Sequence, residues 1–254
     1  MKLIKNLLAG VAIAAAALGS AQASTVAGVT WDNTSFVDFF ASPLQIHQTI
    51  QPDGSLVGWG RALALNGDFG AFSGGQLAFK FTGYSAINSA LPSPTTTVVQ
   101  YTGGTVDVYY TPSVIVPNNA VGYNDSNYKN GTSVLWLSLA AHAINNVTLT
   151  GTVLQNGPSF LLSGLGYLDV IGGAAQSYFD TNSKADGSDF AFNIGLNQFY
   201  NPAGTAQDPS NLFNSAGTGD LSGLTVPEPG SIALLGLGLA GLGFAQRRKA
   251  KAAK

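Results

Sequence analysis

Residues 76–81, Gln-Leu-Ala-Phe-Lys-Phe, decide the fold class of this chain. Leu77, Phe79 and Phe81 occupy every second position, and smaller or polar residues separate them. Successive side chains of a strand point to opposite faces, so this period of two predicts a β-strand with one buried face. Residues 105–110 repeat the pattern, which indicates that the chain is built from such strands.

The surrounding sequence extends this prediction to a whole domain. Short blocks rich in Val, Thr, Tyr and Phe are separated by Gly, Asn, Ser and Pro, a composition typical of strands and turns. Eight or so blocks at this spacing predict an all-β domain with an antiparallel β-sandwich or jelly-roll-like fold. Gly103-Gly104 predicts a hairpin turn between two of them. The further blocks are 56–65, 96–101, 133–141, 146–154, 160–170 and 189–196.

The first 23 residues have the layout of a secretory signal peptide. A positively charged N-terminal segment with Lys2 and Lys5 precedes the apolar run 7–18. Ala21 and Ala23 then supply a small-x-small cleavage site. This order predicts an N-terminal signal helix in residues 1–23 that the Sec and signal peptidase machinery recognises and removes. We therefore expect an exported protein whose mature chain begins at Ser24.

Charge and cysteine content restrict the functions of the mature region. The chain contains no cysteine, which excludes disulfides, thiolate metal sites and cysteine nucleophiles. Residues 24–225 contain four basic residues, twelve aspartates and no glutamate, a net charge of −8. An acidic surface repels phosphates, so nucleic acid is not an expected partner.

The end of the chain contains three signals of different physical kinds. A Pro-x-Pro element comes first, and neither helix nor sheet continues through it because two φ angles are locked and two N–H donors are missing. An uncharged run rich in Leu, Gly and Ala follows and predicts a C-terminal transmembrane helix. A basic cluster comes last and is expected on the cytoplasmic side of the membrane. In order, the three signals are Val226-Pro227-Glu228-Pro229, residues 231–245 and Arg247-Arg248-Lys249.

This arrangement resembles the PEP-CTERM sorting signal of exopolysaccharide-producing Gram-negative bacteria, over residues 226–254. The resemblance implies export, transient anchoring in the inner membrane and processing near Pro-Glu-Pro by an exosortase-type membrane protease. It also implies final delivery to the cell surface or the extracellular space. The same kind of tail is also labelled an ice-binding protein C-terminal domain, which describes the tail and is no evidence of ice binding. An ordinary membrane anchor is the alternative interpretation.

Small residues in the predicted tail helix suggest how a membrane partner would recognise it. Gly236, Ala240 and Gly243 are spaced i, i+4 and i+7, which places them on one helix face. A stripe of small residues lets another helix approach closely in lipid. We expect this face to contact the processing protease.

The domain organisation follows from where the strand pattern stops. Residues 24–199 are predicted to form the β-sandwich domain. Residues 200–225 lack the pattern and are rich in Asn, Gly, Ser, Ala and Pro, which predicts a flexible spacer that presents the tail to the protease.

The sequence offers little for catalysis. His47 and His142 are the only histidines, and neither has a partner at metal-ligand spacing. There is no Gly-x-Ser-x-Gly motif and no glutamate pair of the kind that many glycosidases use. We therefore expect a non-enzymatic surface or extracellular-matrix protein, associated with exopolysaccharide or biofilm. A secreted hydrolase that uses aspartates is an alternative.

One loop contains alternating oxygen side chains that resemble a calcium-binding loop. The candidate ligands are Asp180, Asn182, Asp186 and Asp189, since Ca²⁺ prefers several hard oxygen ligands from a tightly turned backbone. The match is imperfect because Lys184 stands where another carboxylate belongs. A solvated turn explains the same residues, since Asp, Asn and Gly favour turns. No other cofactor is predicted.

Tyr109 is the candidate contact for a sugar ligand. Adjacent aromatic residues on a strand point to opposite faces, so one member of the pair Tyr109-Tyr110 is expected outside the core. An exposed aromatic ring is a stacking platform for a sugar ring, which makes a lectin-like carbohydrate-binding module a further alternative.

Overall fold

The computed structural model divides the chain into two units. One is Ala23–Thr225, and the other is Met1–Gln22 together with Val226–Lys254. Among the described residues no helix has the length and apolar character needed to cross a membrane. The described residues are 24–31, 38–50, 53, 55–87, 97–115, 126, 128–156, 159–198, 215–226, 238–239 and 241.

These ranges include few residues of the two predicted terminal helices. The predicted signal helix, with its cleavage residues Ala21 and Ala23, lies outside the described residues. Of the predicted tail helix 231–245, the structure describes Gly238, Leu239 and Gly241, which are helical. The other residues of this helix lie outside the described residues, and a helix there stays a prediction.

Eleven strands and one short helix are assigned within the described part of the larger unit. They are β1 Ser24–Val26, β2 Val29–Trp31, β3 Phe39–Ile50, β4 Leu56–Ala62, β5 Gln76–Ala86, β6 Thr97–Thr111, β7 Val134–Ala141, β8 Leu149–Asn156, β9 Ser159–Gly172, α1 Gln176–Phe179, β10 Phe190–Gln198 and β11 Ser215–Gly223.

Eight strand positions form one antiparallel sheet that closes on itself. The order is β10-β11-β3-β4-β5-β6-β7-β9, and β9 pairs with β10 again to complete the ring. The position between β6 and β9 is shared by two strands. β8 pairs with residues 97–101 of β6, whereas β7 pairs with residues 105–110. Closure gives the sheet a barrel shape in which these eight positions have no unpaired edge.

This closure confirms the all-β antiparallel prediction and corrects its finer form. In the described residues the main sheet closes on itself, and β1 and β2 form a separate two-stranded sheet, so the strands do not form the two large packed sheets of a sandwich or jelly roll. The alternation of apolar and polar residues cannot distinguish a barrel from a sandwich, because both folds bury one face of every strand. Register shifts in β3, β5 and β7 add the local bends that closure needs, as at Gly83, where φ is +77°.

The barrel interior is a packed core in which small residues face large ones. A Cβ atom added at Gly60 of β4 would lie 2.2 Å from the carbonyl oxygen of Gln45 and 2.4 Å from Cζ of Phe79. At Gly58 it would lie 2.2 Å from Cζ of Phe81. The interior cavity has a volume of about 40 Å³ and an almost wholly apolar lining. It is therefore a packing void in the core.

Aromatic side chains fill one end of the barrel. The β1–β2 hairpin and α1 contribute to this cluster, in which neighbouring ring centroids lie 5.0–5.8 Å apart. Rings at this spacing bury a large apolar area; most of these pairs meet edge-on or tilted, and Phe39 stacks on Trp136. The cluster consists of Trp31, Phe39, Trp136, Phe179 and Phe190.

The predicted flexible spacer contains a strand of the barrel. β11 pairs along its length with β10 on one side and with β3 on the other. The spacer prediction was therefore wrong for Ser215–Gly223, and the domain extends to Thr225. Glycines in β11 make room for interior neighbours, since a Cβ at Gly219 would lie 2.8 Å from Cδ1 of Ile46.

The predicted hairpin at Gly103-Gly104 is also wrong. β6 runs through both glycines without reversing, although both have positive φ angles of 69° and 113°. They lie between the part of β6 that pairs with β8 and the part that pairs with β7. Glycine adopts positive φ without a steric penalty. The two glycines therefore let β6 depart from regular strand geometry where its partner changes from β8 to β7.

We predict that Gly60→Ala destabilises the barrel, whereas Gly195→Ala leaves it nearly unchanged. The added methyl group at Gly60 has no room, and overpacking of this kind costs about 1–3 kcal/mol. The same group at Gly195 would have no atom within 4 Å. Thermal unfolding should show a lower melting temperature for Gly60→Ala, by roughly 2–4 °C per kcal/mol. Equal melting temperatures for the two variants would contradict the packed interior.

A second prediction concerns the last strand. A chain of residues 24–225 should unfold cooperatively, because it contains all eight positions of the ring. A chain of residues 24–199 should not, because β3 and β10 would each lose their β11 partner. Circular dichroism on heating tests this, and an equally sharp transition in the shorter chain would show that β11 is dispensable.

Candidate functional site

The first candidate site is the C-terminal end of the barrel unit, at Thr225. Thr225 is 7% exposed, and both its backbone N–H and its hydroxyl donate hydrogen bonds to Oδ2 of Asp38, at 3.2 and 3.1 Å. Asp38 immediately precedes β3, so the barrel's last residue is held at the start of a neighbouring strand. Val226 follows directly. The end of the barrel unit is therefore fixed to the start of β3.

The remaining predicted residues of the tail lie outside the described part of the chain. This applies to the processing motif beyond Val226, to the small helix face and to the basic cluster. The residues concerned are Pro227, Glu228, Pro229, Gly236, Ala240, Gly243, Arg247, Arg248 and Lys249.

Tyr109 lies on the outer face of the barrel but is not an open stacking platform. Its ring is tilted against Tyr128, with centroids 5.6 Å apart, and Nζ of Lys129 lies 5.3 Å from its centroid. Beneath it, Trp59 and Ala78 are buried with Tyr128 in a small cluster outside the barrel core. Tyr109 is half-buried, so its main contacts are within the protein.

The candidate calcium loop is organised by one buried carboxylate. Asp189 is 2% exposed, and its Oδ1 accepts hydrogen bonds from the backbone N–H groups of Thr181 and Asn182, both at 2.6 Å. Its Oδ2 accepts the N–H of Val170 at 2.7 Å. A calcium ion at this carboxylate would compete with three backbone amides. Asp189 thus joins the loop to β9.

The other acidic residues of the loop have local contacts. Asp186 accepts hydrogen bonds from the backbone N–H and the hydroxyl of Ser188, at 3.0 and 2.7 Å. These bonds lower the pKa of Asp186. Asp180 is exposed, and Asn182 has a φ of +48°. Within the described ranges, no three His, Cys, Asp or Glu side chains converge on a point where a metal could bind.

His142 and Asp169 form an ion pair on the barrel surface. Nδ1 of His142 lies 2.9 Å from both carboxylate oxygens of Asp169. This hydrogen bond, together with the charges of Asp169 and Asp186, raises the pKa of His142. A hydrolase triad also needs a nucleophile beside the imidazole. Among the described residues, no Ser or Thr hydroxyl is hydrogen-bonded to His142.

A groove on the outer face of β11, β3 and β4 brings together polar side chains that the sequence did not single out. Nε of Arg61 donates a hydrogen bond to Oε1 of Gln45 at 2.7 Å. The His47 ring stacks on Trp59, with centroids 4.4 Å apart and an interplanar angle of 19°. The cavity here has a volume of about 340 Å³. We call it the β3–β4 groove; it is lined by Gln45, Ile46, His47, Trp59, Arg61, Ala216 and Gly217.

The electrostatics of the β3–β4 groove depend on Arg61. Burial, and then the positive charge of Arg61, lower the pKa of His47, so this imidazole is neutral at neutral pH. Arg61 forms no ion pair with a carboxylate of the described residues. The groove therefore combines one positive charge with a neutral imidazole and an amide.

Comparison with known proteins identifies the tail. Residues 225–249 match the family model of the PEP-CTERM protein-sorting motif, which confirms the resemblance seen in the sequence. The match supports sorting through an exosortase-type system, with export and membrane-associated processing. No curated protein and no solved structure is significantly similar to the chain.

The His142–Asp169 pair gives a prediction for the pH dependence of stability. A raised histidine pKa means that the folded state binds the proton more tightly than the unfolded state does. The stabilisation is therefore complete below about pH 6.5, the unfolded value, and is lost as pH rises through the folded value. Because the pair is partly solvated, we expect about 1 kcal/mol or less.

The measurement is the difference in melting temperature between the native chain and Asp169→Asn. It should be largest near pH 5.5 and shrink towards pH 8.5. His47 has the opposite sign, because its lowered pKa costs stability on acidification, but it is present in both proteins and cancels in the difference. A difference that grows with pH would contradict the pairing.

Proposed function

We propose that this chain is an exported, non-enzymatic surface or extracellular-matrix protein, associated with exopolysaccharide or biofilm. An exosortase-type protease processes its tail at the inner membrane, and the barrel is the part that is delivered. The observation that carries the proposal is the sorting-motif match at residues 225–249, which begins at the last residue of the barrel unit.

The position of this junction supports delivery of an intact domain. Every ladder residue of the closed sheet precedes Val226 in the sequence. Cleavage after Val226 removes none of the sheet's hydrogen bonds. The product of such processing is a barrel whose eight strand positions are all paired.

The barrel itself supports a binding or structural role. Its interior cavity of about 40 Å³ is far below the roughly 300–1,000 Å³ of typical ligand pockets. The described histidine–aspartate pair has no hydroxyl partner, and the loop carboxylate Asp189 is bonded to backbone amides. These features favour contacts made by the outer surface.

A lectin-like module is the second candidate function. The observation in its favour is the β3–β4 groove, which places a guanidinium, an amide and an imidazole on the outer surface. Sugar recognition needs several polar groups of this kind beside an open space.

The test of the proposed sorting uses two variants that leave the barrel unchanged. Glu228→Ala alters the only glutamate in the chain, and the triple replacement of Gly236, Ala240 and Gly243 by Leu alters the small helix face. Both should still insert in the membrane, because neither adds charge to the apolar run. Both should accumulate as uncleaved membrane-bound protein, since recognition by the protease is impaired.

Cell fractionation and immunoblotting of the barrel measure this accumulation. Lys251→Ala is the matched control, because it lies outside the matched residues 225–249, and it should be processed normally. Normal release of both test variants would mean that the tail is a plain anchor.

A further inference from the structure

We propose that the β3–β4 groove binds the carboxylate of a uronic acid residue within an acidic polysaccharide. This inference deepens the lectin-like candidate and rests on the proposed delivery of the barrel to the cell surface. It is carried by the juxtaposition of Arg61 and Gln45 above an open floor of small residues.

The first step is the chemistry of Arg61. A guanidinium group has five N–H donors in a planar fork that matches a carboxylate. Its Nε–H bonds to Gln45, and the other four donors have no hydrogen-bond partner among the described residues. Arg61 is half-buried, and a partly buried charge is stabilised when it gains a charged partner. A carboxylate is the ligand that this fork accepts with two parallel hydrogen bonds.

The second step is the orientation of that fork. Gln45 and Arg61 are directly paired across β3 and β4, so their side chains lie on the same face. Because Gln45 accepts the Nε–H bond with its amide oxygen, its NH₂ group is a further donor beside the guanidinium. The pair therefore presents mainly donors, which favours oxygen acceptors such as a carboxylate and sugar hydroxyls.

The third step is the neighbouring imidazole. His47 is two residues from Gln45 on the same face of β3, and its ring is held parallel to Trp59. Burial and Arg61 keep this imidazole neutral, so the groove contains one positive charge rather than two. The stacked ring of His47 therefore adds a flat wall without a second charge to this side of the groove.

The fourth step is the space available. The groove is bordered on the β11 side by Ala216 and Gly217, which have little or no side chain. On the adjacent strand, a Cβ at Gly195 would have no atom within 4 Å. A volume of about 340 Å³ lies at the lower end of ligand-pocket sizes, which suits one or two sugar rings.

The acidic character of the domain limits its affinity for an acidic polymer. Residues 24–225 have a net charge of −8, which repels a polyanion at a distance. This repulsion is largely screened beyond about 8 Å at physiological ionic strength, whereas the short contact with Arg61 persists. Binding therefore depends on the local fork and is expected to be weak for each site.

The experiment is a calorimetric titration of the full chain, purified in mild detergent, with trigalacturonic acid. The carboxyl-reduced neutral form of the same trisaccharide is the comparison ligand. We expect the acidic form to bind at least tenfold more tightly than the neutral form. Arg61→Gln should weaken binding of the acidic form at least tenfold, because the charged fork is lost.

Two further variants separate the site from effects on folding. Ala216→Trp fills the groove from its β11 side while Arg61 stays in place, and it should also abolish binding. Lys184→Gln removes a cation from the loop between α1 and β10, outside the groove lining, and it should leave binding unchanged. Unchanged melting temperatures establish that each variant is folded.

Three results would overturn the proposal. One is equal binding of the acidic and neutral trisaccharides, and another is full binding by Arg61→Gln or Ala216→Trp. The third is equally tight binding of acetate or of a peptide with a free C-terminus, which would reveal a carboxylate site without sugar selectivity. The titration does not depend on tail processing, so its failure is distinct from failure of the sorting variants.

Discussion

Closure of the sheet is the constraint on which the rest of this structure depends. An open antiparallel sheet exposes two rows of unpaired backbone groups, and pairing of β9 with β10 satisfies both rows at once. Closure in turn requires a strand between β10 and β3, and β11 fills that position with hydrogen bonds on both sides. The last of the described strands therefore completes a ring that begins with β3.

Closure at eight positions also decides where function can reside. A barrel of this size has an interior just wide enough for side chains, and here Phe79 and Phe81 extend towards glycines of β4. The small remaining cavity is far below the roughly 300–1,000 Å³ of typical ligand pockets. On the outer face the same strand alternation produces the β3–β4 groove, because Gln45 and His47 face outwards while Ile46 between them is buried.

Periodicity predicted strands best where the interior side chains are large, as in 76–81 of β5 and 105–110 of β6. It failed for β11, which has Leu221 as its only large apolar residue, because its interior positions must be small to fit Ile46 and Phe190. The prediction of a hairpin turn at Gly103-Gly104 was also wrong because of the properties of glycine. Glycine permits positive φ in a bent strand as readily as in a turn, so the dipeptide alone does not predict a reversal.

The two candidate sites also differ in whether the sequence could predict them. The sorting motif was predictable because its three parts are contiguous in sequence. The groove was not, because Gln45 and Arg61 are sixteen residues apart and meet only through the pairing of β3 with β4. The available signal was Arg61 itself, the only arginine between residues 24 and 225.

Thr225 belongs both to the sorting motif and to the folded domain. The matched motif begins at Thr225, and this residue is also part of the folded domain through its bonds to Asp38. Only Val226 separates it from Pro227 in the sequence. Since the ring is complete before Val226, the tail can be removed without loss of any strand pairing, and the groove between β11 and β4 is retained in the released domain.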